Sequence, residues 1–332
     1  MIRVGVIGYG YWGPIVARNF HSAEGSKLVA VADGSPAALA RAAQAYPGIL
    51  ATADAMELIR SPQVDAVAVI TPVWTHFEFA KAALENGKHV FVEKPFAASS
   101  AQASQLIDLA AAKGLQIMVD HTFLFTGAVR KLRQLIEEGI LGKLFYYDST
   151  RVNLGLFQHD VNVIWDLAPH DLAIMDHLID AQPEAVSATG QCHFNGLEDL
   201  AYLTVYFPGM LAHINVNWLS PVKVRTTLIG GEKKMAVWND VEPDEKVRVY
   251  DKGVEITTGQ GVYDLLVSYR SGDMWAPRVD QTEALKREAA YFRDCIQGNR
   301  TPVNDGLAGL RVVRMLEAAG QSLKQRGGAV AL

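Results

Sequence analysis

The sequence is poor in cysteine and has no long apolar run. Its two cysteines, Cys192 and Cys295, are far apart and outside any metal-ligand spacing, which argues against structural zinc and against a disulfide framework. No stretch approaches the run of about 18 apolar residues that a transmembrane helix needs. The start of the chain lacks the basic segment, the apolar centre and the cleavage site of a signal peptide. We therefore expect a cytoplasmic protein that binds neither a metal nor a membrane.

The sequence also lacks a surplus of positive charge. With 31 lysines and arginines against 36 aspartates and glutamates, the formal net charge is −5, so nucleic acid is not an expected partner. Hydrophobic residues make up 49% of the chain and charged residues 20%, values typical of a well-packed globular protein. Because 332 residues exceed what one hydrophobic core usually supports, we expect two domains, 1–122 and 123–332. A small molecule remains the expected ligand.

A glycine-rich turn at residues 8–13 follows the apolar stretch 2–7, which is typical of a buried strand, and precedes a helical stretch at 15–20. In the order strand, turn, helix, the G-x-G-x-x-G spacing indicates a dinucleotide site. The first glycine permits the tight turn, the second lets the backbone approach a pyrophosphate, and the third lets helix and strand pack closely. Amide groups at the start of the helix would hold the phosphates. The predicted contacts are Gly8, Gly10, Tyr11, Trp12 and Gly13.

Asp33 ends a second predicted strand, 27–32, and lies 20 residues after Gly13. An acidic residue at this distance accepts hydrogen bonds from the adenosine ribose. Because its charge repels a 2′-phosphate, we expect NAD rather than NADP as the cofactor. The alternative is that Asp33 caps the helix that Ser35 and Pro36 begin.

Strands and helices continue to alternate up to residue 121. Further strands are predicted at 64–70, 89–93 and 116–119, and helices at 54–60, 75–84 and 99–113. This order predicts a parallel, doubly wound sheet whose strands end at one edge, where ligands bind. The polar residues predicted at that edge are Thr71, His76, Glu93, Lys94 and His121. An isolated lysine here would most often be a surface residue, and His76 fits a cofactor-side or capping role better than a catalytic one.

After residue 121 the pattern changes to adjacent strands. A helix at 126–138 is followed by strands at 144–153, 184–194, 199–207, 211–219, 222–230, 234–239, 246–250 and 254–257. The sequence Asp-Lys-Gly at 251–253 is a hairpin signal between the last two. Short connections predict a mostly antiparallel sheet, and helices at 281–297 and 305–325 complete an α+β domain.

One helix within this second domain carries an acid/base pair. Because Pro169 fits only a first helical turn, we expect the helix to begin near Asp166 or Leu167. Asp166 and His170 are four residues apart and share a face, an arrangement in which a carboxylate orients an imidazole for proton transfer. The alternative is a helix cap beside a histidine that is satisfied by packing. His177, further along, is assigned to packing or to the surface.

Together these residues make the sequence similar to the Gfo/Idh/MocA family, which includes glucose–fructose oxidoreductase and inositol dehydrogenase. The resemblance rests on the glycine turn, on Glu93-Lys94-Pro95 after a strand and on the Asp166/His170 pair, and it covers essentially the whole chain. It implies an N-terminal Rossmann domain and a C-terminal α+β domain whose open sheet forms homodimers or homotetramers. It also implies a nicotinamide cofactor, a cis Lys94–Pro95 bond, and Lys94, Asp166 and His170 as catalytic residues.

By the same resemblance the protein oxidises a ring hydroxyl, with His170 as general base, Lys94 bonded to the reacting oxygen and Asp166 holding the imidazole. The run 151–158 is similar to nucleotide-sugar enzymes of the family, so we expect a UDP-N-acetyl-hexosamine oxidised at C3. The predicted substrate contacts are Arg151, Asn153, Trp165, Asp166 and His170. Alternatives are a free aldose or cyclitol as substrate, an NAD-binding regulator without turnover, and a redox-neutral glycoside cleavage that uses NAD transiently.

Overall fold

The computed structural model describes residues 1–155, 157–258 and 265–332, of which 254–258 and 265–269 are described by their backbone only. The chain forms two compact units. The first contains Met1–Phe125 and Thr282–Arg314, and the second contains Thr126–Gln281 and Met315–Leu332. Each unit is therefore built from two separate stretches of chain.

A six-stranded parallel sheet forms the centre of the first unit. Its strands are β1 (Ile2–Ile7), β2 (Ser26–Ala32), β3 (Leu50–Thr52), β4 (Ala66–Val69), β5 (His89–Glu93) and β6 (Ile117–Asp120). They lie in the order β3-β2-β1-β4-β5-β6, and every neighbouring pair is parallel. This confirms the predicted doubly wound sheet. The order reverses between β1 and β4, which is the place where such sheets bind ligands.

A second sheet, of nine strands within the described residues, forms the second unit. Its strands are β7 (Leu144–Leu154), β8 (Ala185–Gln191), β9 (Leu200–Phe207), β10 (Met210–Asn217), β11 (Leu219–Gly231), β12 (Met235–Asn239), β13 (Val247–Thr258), β14 (Leu265–Trp275) and β15 (Val330–Ala331). Their order is β14-β13-β12-β11-β7-β10-β9-β8-β15. Only the pair of β7 and β10 is parallel among the described pairs, so the predicted mostly antiparallel sheet is confirmed.

The helices of the described residues are α1 (Gly13–Ser22), α2 (Pro36–Ala45), α3 (Ala55–Arg60), α4 (Val73–Glu85), α5 (Ser100–Lys113), α6 (Gly127–Glu137), α7 (Val163–Leu178), α8 (Ala284–Gln297) and α9 (Gly306–Lys324), with a 3₁₀ helix at Thr122–Phe125. Gly114 ends α5 in the left-handed conformation, as its type predicts. The helix predicted at 75–84 begins two residues earlier, at Val73. The extended Pro72 precedes that helix, and the Thr75 hydroxyl contacts Pro72 and Thr71. Among the described residues, no helix has the length and apolar character needed to cross a membrane.

The predicted hairpin at 251–253 is also wrong, because one continuous strand, β13, runs through it and pairs with β14. The pairing register shifts between Tyr250 and Lys252. Residues 251–253 therefore belong to a locally irregular part of the strand and not to a turn. The patterns did not predict β3, β14 or β15. Two of these strands have two or three residues, too few to establish an alternating pattern.

The two faces of the second sheet differ in exposure. Alternate residues of β9 and β10 are buried on the face against which α7 packs. On the other face, Tyr146, Leu211, Leu228 and Tyr202 are exposed. Because side chains alternate along a strand, these four residues lie on the face opposite to the core.

Candidate active site

The glycine turn between β1 and α1 has little space for side chains at two of its three glycines. Gly8 has a φ of +94°, and a Cβ there would lie 2.2 Å from the carbonyl oxygen of Ile70. A Cβ on Gly13 would lie 2.1 Å from the carbonyl oxygen of Gly8. At Gly10, by contrast, a Cβ would meet nothing within 4 Å. Open space over the Gly10 backbone, next to the start of a helix, fits a pyrophosphate held by amide groups.

Asp33, at the end of β2, is bonded to the glycine turn. Its carboxylate accepts hydrogen bonds from the backbone N–H of Tyr9 at 2.6 Å and from that of Ser35 at 2.7 Å. The cap of α2 is Ser35, whose hydroxyl accepts from the N–H of Ala38, so the alternative of Asp33 as the helix cap is wrong. Asp33, Gly8, Gly10 and Thr71 line a cavity of about 450 Å³. Its size and its acidic wall fit the adenosine half of NAD.

His76, which belongs to α4, connects two parts of the carboxyl edge. It is buried, and its ring nitrogens contact the carbonyl oxygens of Thr71 at 2.7 Å and Pro95 at 2.9 Å. Burial lowers the pKa of His76. This histidine therefore fixes the end of β4 to the turn that follows Lys94, a structural role that agrees with the preference for a non-catalytic residue.

Lys94 directly follows β5 and is half-buried. The Lys94–Pro95 bond is cis, as the resemblance implies, and Glu93 accepts a hydrogen bond from the backbone N–H of Lys94 at 2.5 Å. Burial lowers the pKa of the neighbouring His121 to about 3, and the positive charge of Lys94 adds to the effect. His121 is therefore a neutral imidazole close to Lys94. Within the described residues, both of its ring nitrogens are buried and neither has a hydrogen-bond partner.

Two residues of the first unit, Asp120 and Glu288, are not among the predicted site residues. Trp12 of the glycine turn donates from its indole nitrogen to Asp120, the last residue of β6, at 3.0 Å. Asp120 is buried, and so is Glu288 of α8. Asp120 ends a strand at the carboxyl edge of the sheet, so its position in the sequence could have indicated a site residue. Glu288 lies on a helix far along the chain, and no sequence pattern indicates its position. Tyr11, in contrast to Trp12, is largely exposed.

In the second unit, the helix that carries the acid/base pair begins earlier than predicted. Asn162 caps α7 by accepting from the N–H of Trp165 at 3.1 Å, and the helix starts at Val163. The predicted start near Asp166 is therefore wrong, and Pro169 lies inside the helix. Because proline has no backbone N–H, the helix lacks the hydrogen bond that residue 169 would donate to the carbonyl of Trp165. The cap and the packing of α7 outweigh that loss.

Asp166 and His170 both lie on the partly exposed side of α7, four residues apart. The carboxylate of Asp166 accepts a hydrogen bond from the indole nitrogen of Trp218 at 3.0 Å. Trp218 is fully buried after β10, so it fixes the position of Asp166. Sequence reasoning missed Trp218, since an apolar residue near a strand end carries no signal of this contact. Trp165 and Asn153 are half-buried.

A buried ion pair attaches α7 to β7. Asp171 accepts from Ser149 at 2.6 Å and from the Nε and Nη2 atoms of Arg151 at 2.6 and 3.2 Å. The side chains of Arg151 and Asp171 are only 4% and 2% exposed. These contacts favour a structural role for Arg151, whose predicted contact with substrate stays a prediction. Since Asp171 follows His170 directly, the ion pair also restrains the turn of α7 that carries His170.

Two family models match the chain. Residues 2–121 match the Gfo/Idh/MocA oxidoreductase family with an NAD-binding Rossmann fold, and residues 129–237 match the C-terminal domain of the same family. A UDP-N-acetylglucosamine 3-dehydrogenase of Acidithiobacillus ferrooxidans is 29% identical over 94% of each chain. The NAD⁺-dependent scyllo-inositol 2-dehydrogenase of Bacillus subtilis is 25% identical, over 91% of this chain and 88% of its own.

Solved structures agree with these similarities in sequence. The structure of the Acidithiobacillus ferrooxidans enzyme superposes with a TM-score of 0.81 at 25% identity and covers 98% of each chain. A levoglucosan dehydrogenase in complex with NADH superposes with a TM-score of 0.84, covering 99% of this chain and 98% of its own. At 19% identity, the second likeness concerns the fold alone.

Proposed function

The chain belongs to the Gfo/Idh/MocA family of oxidoreductases with an NAD-binding Rossmann fold, and on this premise we propose that it oxidises a ring hydroxyl of a nucleotide-linked sugar. Family membership confirms the predicted resemblance, the NAD cofactor and the class of enzyme, an NAD-dependent dehydrogenase. The preferred substrate is a UDP-N-acetyl-hexosamine, oxidised at C3.

The proposed mechanism divides the work among three residues. When bound, NAD supplies the acceptor for the hydride. His170 takes the proton of the substrate hydroxyl as general base, which is typically worth about 10²–10⁴ in rate. Lys94 donates a hydrogen bond to the same oxygen and stabilises the negative charge that develops there. Asp166 orients His170. Lys94 belongs to the first unit and the other two residues to the second, so their joint action is part of the proposal.

One observation carries the proposal. Trp218 holds the carboxylate of Asp166 on the partly exposed side of the helix that also presents His170. A buried partner that fixes a carboxylate at a set position is what an orienting residue in an acid/base pair needs. A helix cap would not need this contact, and the cap of α7 is Asn162.

Aromatic rings beside this pair support a sugar as substrate. Phe157 packs against Trp218 and against Phe194, with ring centroids 5.5 Å apart in both cases. Phe194 is largely exposed. An apolar face next to a few fixed polar groups is the usual composition of a sugar pocket. The name of the relative that is 29% identical favours a UDP-linked sugar within this class.

A free sugar or an inositol is the second candidate, favoured by the likeness to scyllo-inositol 2-dehydrogenase. A regulator that binds NAD without turnover is disfavoured, since Lys94, Asp166 and His170 are all present. Redox-neutral glycoside cleavage would be recognised by its products.

Turnover measurements test the proposal. The protein is incubated with NAD or NADP and with UDP-N-acetyl-hexosamines, free sugars and inositols, and absorbance of the reduced nicotinamide is recorded. We expect reduction of NAD with the UDP-sugar, strong loss of turnover in His170→Ala and Lys94→Ala with NAD still bound, and wild-type rates in the control His21→Ala, an exposed histidine in the last turn of α1. Near-normal turnover in both active-site variants would contradict the mechanism, and a preference for NADP would contradict the role of Asp33.

We further propose that the exposed face of the second sheet forms a homodimer or homotetramer. The face carries Tyr146, Leu211, Leu228 and Tyr202, and an exposed apolar patch of this kind commonly marks a protein interface. Light scattering of Leu211→Glu should give a smaller mass than that of the wild type. An unchanged mass would argue against this face.

A further inference from the structure

Two buried carboxyl groups meet below the glycine turn. Asp120, at the end of β6, is 1% exposed, and Glu288, on α8, is not exposed at all. Asn304 links Glu288 to Val119, the residue before Asp120, and each carboxyl group shifts the pKa of the other. Since like charges close together and away from water repel strongly, two such groups do not both ionise at neutral pH. One of them must carry a proton.

The surrounding donors indicate which group is neutral. Asp120 accepts from the indole N–H of Trp12 at 3.0 Å and from the hydroxyl of Thr122. Glu288 accepts from the amide of Asn304 at 3.0 Å through Oε1, and within the described residues its Oε2 meets no N–H or hydroxyl that satisfies hydrogen-bond geometry. The carboxyl with more donors is the better anion. Glu288 is therefore the acid, and it donates to Asp120.

The charges around the pair agree with this assignment. Burial raises the pKa of Glu288 well above its usual range, and the negative charge of Asp120 adds to the shift, whereas the Thr122 hydroxyl opposes it. Burial also raises the pKa of Asp120, but the hydrogen bonds from Thr122 and Trp12 and the charge of Lys94 oppose the shift. The remaining negative charge therefore belongs on Asp120, close to the ammonium of Lys94.

The amide of Asn304 is held in the orientation that this assignment requires. Its Nδ2 also donates to the carbonyl of Val119 at 2.6 Å, and the N–H of Val119 donates to the carbonyl of Asn304 at 2.8 Å. The Nδ2 atom therefore faces Glu288 as a donor and cannot accept its proton. Asp120 is therefore the acceptor for the acidic proton of Glu288.

The bond between Trp12 and Asp120 spans the carboxyl edge of the sheet. Trp12 follows β1, Asp120 ends β6, and the strands β4 and β5 lie between them. Three strand spacings amount to about 14 Å. The hydrogen bond therefore ties the glycine turn to a distant strand and restrains it. Without this restraint, ordering the amide groups of the turn would reduce the free energy gained when the dinucleotide binds.

We propose that Asp120 and Glu288 share one proton and that this singly charged pair positions Trp12, and with it the glycine turn, for the pyrophosphate of NAD. Both are positioning residues that act through Trp12. The inference depends on NAD binding at this turn and not on the identity of the sugar, so a failure of the proposed substrate would leave it intact.

Infrared difference spectroscopy tests the shared proton. Wild-type protein at pH 7 is compared with Glu288→Gln, and we expect the variant to lose the carbonyl band of one protonated carboxylic acid. The control is Glu283→Gln, a half-exposed carboxylate that accepts from Arg18 and Asn19 and should lose carboxylate bands only. If Glu288→Gln also loses only carboxylate bands, Glu288 is ionised and the proposal is wrong. Wild-type protein labelled with ¹³C at glutamate carboxyl groups gives the same test without a variant.

Calorimetry with NAD alone tests the positioning role. We expect Glu288→Leu to weaken NAD binding about tenfold, the size of losing one hydrogen bond to a charged group. Glu288→Gln should recover most of that affinity, because an amide N–H replaces the acid proton. Trp12→Phe should weaken binding to a similar extent. Equal weakening in Glu288→Leu and Glu288→Gln would overturn the assignment of Glu288 as a donor, and wild-type affinity in Trp12→Phe would overturn the role of the pair.

Discussion

The ion pair that attaches α7 to β7 gives the sharpest stability prediction. In Arg151→Met, the carboxylate of Asp171 stays 2% exposed and loses the two hydrogen bonds from Nε and Nη2. Leaving one partner of a buried ion pair without the other typically costs about 3–5 kcal/mol. Replacing both partners by apolar residues is often far less harmful. We therefore expect Arg151→Met to lose several kcal/mol of unfolding free energy, and Arg151→Met/Asp171→Leu to recover part of it.

Urea unfolding of Arg151→Met, Asp171→Leu and the double variant measures the coupling free energy between the two residues. Steady-state kinetics separates an effect on stability from an effect on function. If Arg151 acts by positioning α7, the rate constant of turnover in Arg151→Met should fall while KM changes little, because His170 is next to Asp171. A control is Arg133→Met, in which the lost ion pairs with Glu137 and Asp180 involve largely exposed carboxylates. A variant of Arg151 with wild-type stability and a raised KM would refute the structural role and support direct contact with substrate.

Three further outcomes follow from the geometry. Gly10→Ala should keep the fold but weaken NAD binding in calorimetry, whereas Gly13→Ala should lower the melting temperature, since its Cβ would lie 2.1 Å from a carbonyl oxygen. Trp218→Phe should reduce turnover roughly tenfold in steady-state kinetics through the lost bond to Asp166, with NAD affinity unchanged. Because burial lowers the pKa of His121 in the folded protein to about 3, below the value of about 6.5 of an unburied histidine, the unfolded chain binds the proton more readily, and stability falls as pH drops from about 6.5 toward 3. Urea unfolding of His121→Phe should show a smaller loss between pH 7 and pH 5 than the wild type.

Local patterns were enough to predict the Rossmann sheet except for its short edge strand, β3. In the first 121 residues, the buried strands are continuous apolar runs, and helices end at glycines such as Gly114. The type and order of these helices and strands could therefore be assigned without long-range information. The prediction of a hairpin at 251–253 is wrong because long-range pairing decides the structure there. These residues favour a turn, but pairing of β13 with β14 keeps the strand extended, and this pairing is not visible in the local sequence.

The candidate site was predictable to the extent that its residues lie at strand ends or at helical spacing. Lys94 and the pair of Asp166 and His170 meet this condition. Two supporting residues do not meet it, because Trp218 is brought to Asp166, and Glu288 close to Asp120, by tertiary packing. The start of α7 is set by the cap at Asn162, and Pro169 lies inside the helix, so the preference of proline for a first helical turn predicts too late a start.

Transfer of a labelled hydride tests the central claim most directly. UDP-N-acetylglucosamine carrying deuterium at C3 is incubated with NAD and the wild-type protein, and the reduced cofactor is examined by mass spectrometry. We expect deuterated NADH in an amount equal to the oxidised sugar, and its loss in His170→Ala. Unlabelled NADH would contradict oxidation at C3. No reduction of NAD with this sugar or any other hydroxyl-bearing sugar would contradict the proposed dehydrogenase activity toward sugars.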